Sequence, residues 1–354
     1  MGKDDNKTVE LRTGLTREEF DRVLNLLLEE GQPVHRGRKL MDVDIRLVIF
    51  LQWLKFGQTY QQLADSFKLK TTRVQTAISD LWNPAIRVLT ANLIPLKPYN
   101  YVPTRSFDNY PHAVGALDAT LIPVLKPLNH QEARKYLSGK HRRYGIRLQV
   151  LVAPDGHIIH YGGIIKGNKH DFTLYQRSML VRDMLETVEL ANGERISTRR
   201  AILADGGYQG IAATYPEAVI PRRRRPHGQL SEEDQRFNST LSHDRIVVER
   251  YFGRLKAYWG IIQKPLRIDK VSLDGLMKIL GCLTNLKIEH APLFADESIY
   301  NPYPEFEEEG QSEEEAIISM TNSPRTPNCS RRGRQNEGTN APMWVKRLSK
   351  RKPK

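Results

Sequence analysis

Cysteine is nearly missing from this chain. Its two residues, Cys282 and Cys329, cannot build a disulfide framework or a cysteine-rich zinc site, and the scarcity points to a reducing compartment. Long apolar runs are missing too. No stretch reaches the about 18 residues of a membrane span, and Met1 to Asn6 is polar where a secretory signal would begin, so a soluble intracellular protein with no membrane partner is expected. Acidic residues are in deficit, with 41 Asp and Glu against 54 Lys and Arg and a formal charge of +13. That balance favours a polyanionic partner over an acidic small molecule, although a merely soluble basic protein would share it. What is present is 354 residues at 39% hydrophobic content, enough for two domains and a tail.

Charge is unevenly placed. Residues 301–330 carry seven Glu against one Arg and residues 331–354 nine Lys and Arg against one Glu, which leaves the first 300 residues at +11. Beyond about Asn301 the aliphatic periodicity gives way to Pro, Ser, Glu, Asn and Gly, and a disordered tail over 299–354, acidic then basic, is expected. The clusters Lys346-Arg347 and Lys350-Arg351-Lys352 have the composition of a nuclear localisation signal, or of a nonspecific DNA-binding arm.

Residues 1–100 read as helical. Thr16 with Glu19 and Thr59 with Gln62 fit capping boxes, Asp42 or Asp44 can cap a helix over Ile45 to Phe56, and Gly57 ends it. A short helix holding Leu63 and Ala64 leads through a tight turn into Thr71 to Leu81, the outline of a helix-turn-helix that a plain three-helix bundle would share. Lys68, Lys70, Thr71, Thr72, Arg73, Gln75 and Thr76 supply side chains able to reach phosphates and base edges.

Residues 101–298 change to strand periodicity. Three strands are expected over His112 to Val124, Arg147 to Val152 and His157 to Ile165, the last two joined through Pro154-Asp155-Gly156. A helix over Phe172 to Thr187, a strand over Arg200 to Ala204 and a helix from about Arg245 to Trp259 complete an α/β unit with the element order of a ribonuclease H-like mixed-sheet domain. Element order alone says little about function.

Carboxylates stand where they cost most. Asp118 sits in the middle of an apolar strand, where an ionised group needs a cation or several donors, whether catalytic or structural. Asp205 ends a second apolar strand and is followed by Gly206-Gly207, which permit a sharp turn. Glu249 lies on the late helix, with Arg245 and Lys256 on roughly the same face. Three acids brought to one sheet edge would suit hard divalent ions, and two such ions about 3.5–4 Å apart can activate an attacking oxygen and stabilise a leaving one. His170-Asp171 opens a helix, where Asp171 reads as an N-cap with a supporting role at the site as the alternative. Arg222, Arg223, Arg224 and Arg225 form a run suited to phosphate contact, or else a solvated loop.

The motifs GALDAT around Asp118, GNKHDFTLY around Asp171, LADGGYQG around Asp205 and VVERYFGRLK around Glu249 together resemble DDE transposases of the PIF/Harbinger superfamily and their bacterial insertion-sequence relatives. The resemblance covers about residues 12–290. Arg245, Glu249 and Lys256 stand at the spacing of the signature that extends the catalytic Glu in the bacterial enzymes, with Ser242 where that signature has Tyr. It implies Asp118, Asp205 and Glu249 as catalytic metal ligands, two divalent ions (Mg²⁺ or Mn²⁺), and DNA as partner, both element terminal repeats and target. It also implies a separate Myb-like DNA-binding protein; the need to hold two DNA ends together calls for a homodimer or higher oligomer, and the basic clusters over 346–352 favour a nuclear location. The other readings are a domesticated derivative that binds without transposing, and a metal-dependent nuclease that cuts without joining.

Overall fold

The computed structural model describes residues 3–30, 41–95, 101–178, 187–189, 195–197, 201–224, 228–266 and 270–291. The expected tail, its basic clusters and Arg225 lie outside the described residues. No described helix is long and apolar enough to cross a membrane.

The N-terminal part consists of α1 (Lys3–Thr13), α2 (Arg17–Glu29), α3 (Val43–Phe56), α4 (Tyr60–Ser66) and α5 (Thr71–Leu93). Both expected capping boxes form: Thr16 caps α2 with Glu19 reaching back, and Thr59 caps α4 with Gln62. Gly57 ends α3 at φ 59°, and a Cβ there would lie 2.9 Å from the Gly260 carbonyl oxygen, so both its conformation and its neighbour call for glycine. Helix α5 runs twelve residues past its expected end at Leu81, straight through Pro84. Pro84 costs a backbone hydrogen bond, but Trp82, Ala85, Val88, Leu89 and Leu93 continue the buried stripe and outweigh it.

The second part alternates strands and helices: β1 (Ala113–Pro123), α6 (His130–Tyr136), β2 (Leu137–Ser138), β3 (Arg143–Val152), β4 (Ile158–Lys166) and α7 (Asp171–Arg177). After these come β5 (Thr187–Glu189), β6 (Arg195–Ser197), β7 (Ala201–Ala204), α8 (Ile211–Thr214), β8 (Ala218–Val219), α9 (Glu232–Tyr258) and α10 (Lys270–His290). The helix expected over Phe172 to Thr187 stops at Arg177, and Thr187–Glu189 instead pairs antiparallel with Arg195–Ser197. Helix α9 starts thirteen residues before its expected Arg245. Ser231 caps it, and Glu232, Glu233 and Asp234 favour the positive end of its dipole, signals that do not depend on apolar spacing.

The main sheet has the order β2-β3-β1-β7-β8, with β4 also on β3. Strand β1 is antiparallel to β3 and parallel to β7, and β3 is antiparallel to β4. This mixed sheet fits the expected ribonuclease H-like domain. Successive β1 side chains face opposite layers. Leu117 enters a cluster with Tyr175, Tyr208 and Ile211, while Ala116 enters the larger core with α9 and α10.

That larger core extends without a break from Leu15 in the N-terminal part to Ile288 in α10, because α10 is buried from Leu273 to Ile288 between α5 and the sheet. Asn285 fastens this junction. Its Oδ1 accepts from the Ile158 N–H at 2.8 Å, and its Nδ2 donates to the carbonyls of Ile158 and Leu93, each at 2.9 Å. Asn285→Ala would orphan three buried backbone groups, at about 1–3 kcal/mol each where no water reaches them. It is expected to lower the unfolding free energy by about 3 kcal/mol in urea titration with an unchanged m value; a loss within ~0.5 kcal/mol would mean that the junction is not held in this way.

Candidate active site

Asp118 projects from the middle of β1 toward α9, on the same strand face as Ala116 and Thr120. Its Oδ1 accepts from the neighbouring Ala119 N–H at 2.7 Å. Burial pushes its carboxyl up to about 7; Arg245 and the Ala119 hydrogen bond oppose the shift, and the negative charges of Asp205 and Asp171 add to it. Asp205 follows the last residue of β7 and caps the tight turn Gly206–Tyr208, its Oδ2 3.4 Å from the Gly207 nitrogen. Since β1 and β7 run parallel with Leu117 opposite Ala204, Asp118 and Asp205 emerge at one level of the sheet.

A single guanidinium spans them. Arg245 of α9, only 6% exposed, places Nη2 3.8 Å from Asp118 Oδ2 and Nη1 3.5 Å from Asp205 Oδ1. Glu249, the third expected acid, is one helical turn further on the same side of α9 and is exposed. Lys256 lies almost two turns beyond Glu249, and its Nζ donates to Thr120 Oγ1 at 2.8 Å. Burial lowers the pKa of Lys256 and Asp118 raises it. Arg245 and Lys256 therefore face β1 and not open solvent.

His170 and Asp171 correct the sequence reading. His170, not Asp171, occupies the N-cap of α7, and no side-chain cap bond forms. The Asp171 carboxylate turns to Arg147 of β3, whose Nη1 donates to Oδ1 at 2.8 Å and to Oδ2 at 2.9 Å. Both side chains are largely buried, and a buried guanidinium draws a carboxylate more strongly than free helix N–H groups do. Asp171 also bounds the Asp205 turn: a Cβ on Gly207 would lie 3.2 Å from Asp171 Oδ2 and 3.7 Å from Asp205 Oδ2. Tyr208 completes the turn by accepting a hydrogen bond from Gln149 Nε2 at 3.0 Å. Arg147, Gln149 and Thr120 were not singled out in the sequence; the signal for the first two was a polar side chain recurring on one face of an otherwise apolar strand.

The arginine run divides. Arg222 is tied to α9: its N–H donates to Asn238, its guanidinium pairs with Asp234 at 2.8 Å and Glu233 at 3.2 Å, and it lies over the Phe237 ring. Arg223 donates to the Gly206 carbonyl at 2.8 Å, beside Asp205, and Arg224 is exposed. On the helical part Lys68, at φ 51°, and Lys70 occupy the turn between α4 and α5. Thr71 hydrogen-bonds Gln61 across that turn at 2.8 Å. Thr72, Arg73 and Thr76 are exposed and Gln75 is half-buried.

Among the described residues, the one group whose possible ligand atoms all lie within 4.8 Å of each other is Asp108, His243 and Asp244. Its bonds already account for it. Asp244 accepts from the backbone N–H groups of Asn109 and Tyr110, each at 2.9 Å, and from Asn109 Nδ2 at 3.0 Å, while Asp108 pairs with Arg105. Burial would raise the Asp244 carboxyl, but the hydrogen bonds from His243, Asn109 and Tyr110 outweigh it and hold the pKa below the usual range. Asp244 thus pins the segment before β1 to α9.

Residues 117–286, the span holding Asp118, Asp205 and Glu249, match the family model described as DDE superfamily endonuclease. This segment is similar to the DDE endonucleases. A probable transposase for insertion sequence element IS702 from Microchaete diplosiphon is 25% identical over 249 residues, 70% of this chain and 82% of that protein. No solved structure matches the chain.

The raised pKa of Asp118 has a measurable sign. Between the ordinary carboxylate value of about 4 and its folded value of about 7, the folded protein holds a proton that the unfolded chain has released. Stability therefore falls as pH rises through that window, by at most about 1.4 kcal/mol per pH unit. With a chelator present, thermal unfolding of the wild type is expected to lose more stability than Asp118→Asn across this range; parallel curves would refute the shift.

Proposed function

We propose that the chain is a transposase that cuts the ends of a DNA element and joins them to target DNA, of the PIF/Harbinger kind that its motifs resemble. The observation that carries the reading is the convergence of Asp118 and Asp205, from two parallel strands, on one cation, with Glu249 a turn away on the helix that supplies it. Arg245 marks the space between the two aspartates as one that accepts positive charge. The all-oxygen donor set suits hard divalent ions, so Asp118, Asp205 and Glu249 would hold two Mg²⁺ or Mn²⁺ ions. Such ions would supply activation of the attacking oxygen and charge stabilisation at the leaving one.

The chain's own residues do the rest. The Asp205 turn, fixed by Tyr208 and bounded by Asp171, presents one carboxylate at a set position. Lys256, held on Thr120, and Arg245 place positive charge beside the acids for the phosphates of the substrate. Helices α4 and α5 would act as a helix-turn-helix, with the start of α5 offering Lys70, Thr72, Arg73 and Thr76 to the major groove. Two element ends must be held together, so the working form is a dimer or larger assembly; a Myb-like DNA-binding partner belongs to the same reading. The basic clusters near the C-terminus support a nuclear address.

The test is cleavage and strand transfer on labelled DNA carrying the element's ends, with Mg²⁺ or Mn²⁺. Metal-dependent cutting and joining is expected, reduced at least about a hundredfold in each of Asp118→Ala, Asp205→Ala and Glu249→Ala. Cutting without joining would make the chain a nuclease. DNA bound but uncut would make it a binder that no longer transposes, and activity surviving in the three variants would place the site elsewhere.

A further inference from the structure

Between Glu132 and Asp155 the chain holds six Lys and Arg and no acid. Three of them, Lys140, Arg142 and Arg143, are exposed around the link between β2 and β3. The link is tightly formed: Leu137 pairs with Tyr144 and Ser138 with Arg143, and the His141 N–H donates to Ser138 Oγ at 3.4 Å. Arg142 sits at φ 46°, in the left-handed region that side chains other than glycine seldom adopt. Lys126 lies over the Tyr144 ring at the base of the link, 5.7 Å from its centroid. Glu132, the acid on neighbouring α6, is already engaged by Lys135 and Lys166.

The topology places this cationic tip on the catalytic side of the sheet. Strand β3 runs opposite to β1, so the start of β3 lies where β1 ends, with Gly145 opposite Pro123. Asp205 follows the C-terminal end of β7, which is parallel to β1, and Arg223 and Arg224 follow β8 in the same direction. All of these cations therefore flank the same end of the sheet as the acids. Lys256, fixed on Thr120, stands between Asp118 and the tip.

We propose that the Lys140–Arg143 hairpin tip is a phosphate grip that holds duplex DNA on the flank of the cleavage site. The inference rests on the reading of the chain as a DNA-cutting enzyme and adds a binding surface to it. Asp118 is opposite Val150, seven residues from Arg143 along β3, which at about 3.3 Å per residue is about 23 Å. At about 3.4 Å per nucleotide along a strand, the phosphates gripped lie about seven base pairs from the scissile one. Such contacts position the duplex without reading its sequence.

The experiment is fluorescence anisotropy of the full chain on a labelled duplex of arbitrary sequence over a range of salt concentrations. The wild type is compared with Lys140→Gln/Arg142→Gln/Arg143→Gln and with Lys140→Gln alone. Each lost phosphate contact lowers the slope of log affinity against log salt by about 0.9, so the triple variant is expected to lose about 2.7 and the single variant about 0.9, with thermal midpoints unchanged. The single variant keeps the question open to refutation if the triple one does not fold. Wild-type binding with an unaltered slope in both variants would overturn the grip and leave the enzymatic reading standing. A wild type that binds no duplex in a salt-dependent way would overturn both.

Discussion

Arg245 sits between two carboxylates that would otherwise repel each other, one partly buried on β1 and the other about half-exposed after β7. Asp118 is buried deeply enough that its pKa is pushed up to about 7, and the guanidinium is the largest influence opposing that shift. A buried charge needs an opposite charge or several hydrogen-bond donors at close range. The sheet, the turn after β7 and the placement of α9 all bear on that meeting, because each delivers one of its members.

Helix α9 connects the site to the rest of the fold. Asp244, next to Arg245, grips the segment that leads into β1, and Arg222 and Asn238 hold the chain after β8 against the start of the helix. Helix α10 then joins this unit to the N-terminal helices through a shared core and the buried Asn285 amide. The helical part and the sheet thus pack as neighbours on one core although their sequence patterns change near residue 100. If α5 holds a duplex as proposed, the element holding it packs on the same core as the half that carries the candidate site.

Features with local causes were legible in the sequence. The capping boxes at Thr16 and Thr59 announce themselves because both partners lie within four residues. Asp118 and Asp205 stood out because an acid on an apolar strand has to have a reason. Features with distant causes were not legible. Asp171 looked like a cap since nothing nearby in the chain reveals that Arg147, on another strand, competes for its carboxylate. Helix α5 was expected to end at Leu81 because part of the burial that carries it on through Pro84 comes from α10, almost two hundred residues away in the chain. The start of α9 was hidden for a related reason: apart from Phe237 and Leu241 its first three turns are polar, and they rest on capping and ion pairs with Arg222.

The central claim is that Asp118, Asp205 and Glu249 form one divalent-metal site. Crystals of the chain soaked in Mn²⁺ and measured at a wavelength sensitive to manganese test it most directly. The account predicts anomalous density held by Asp118 and Asp205 on the side of α9 that carries Glu249. Manganese bound instead by Asp108, His243 and Asp244, or none near Asp118 with Arg245 still spanning the two aspartates, would contradict it.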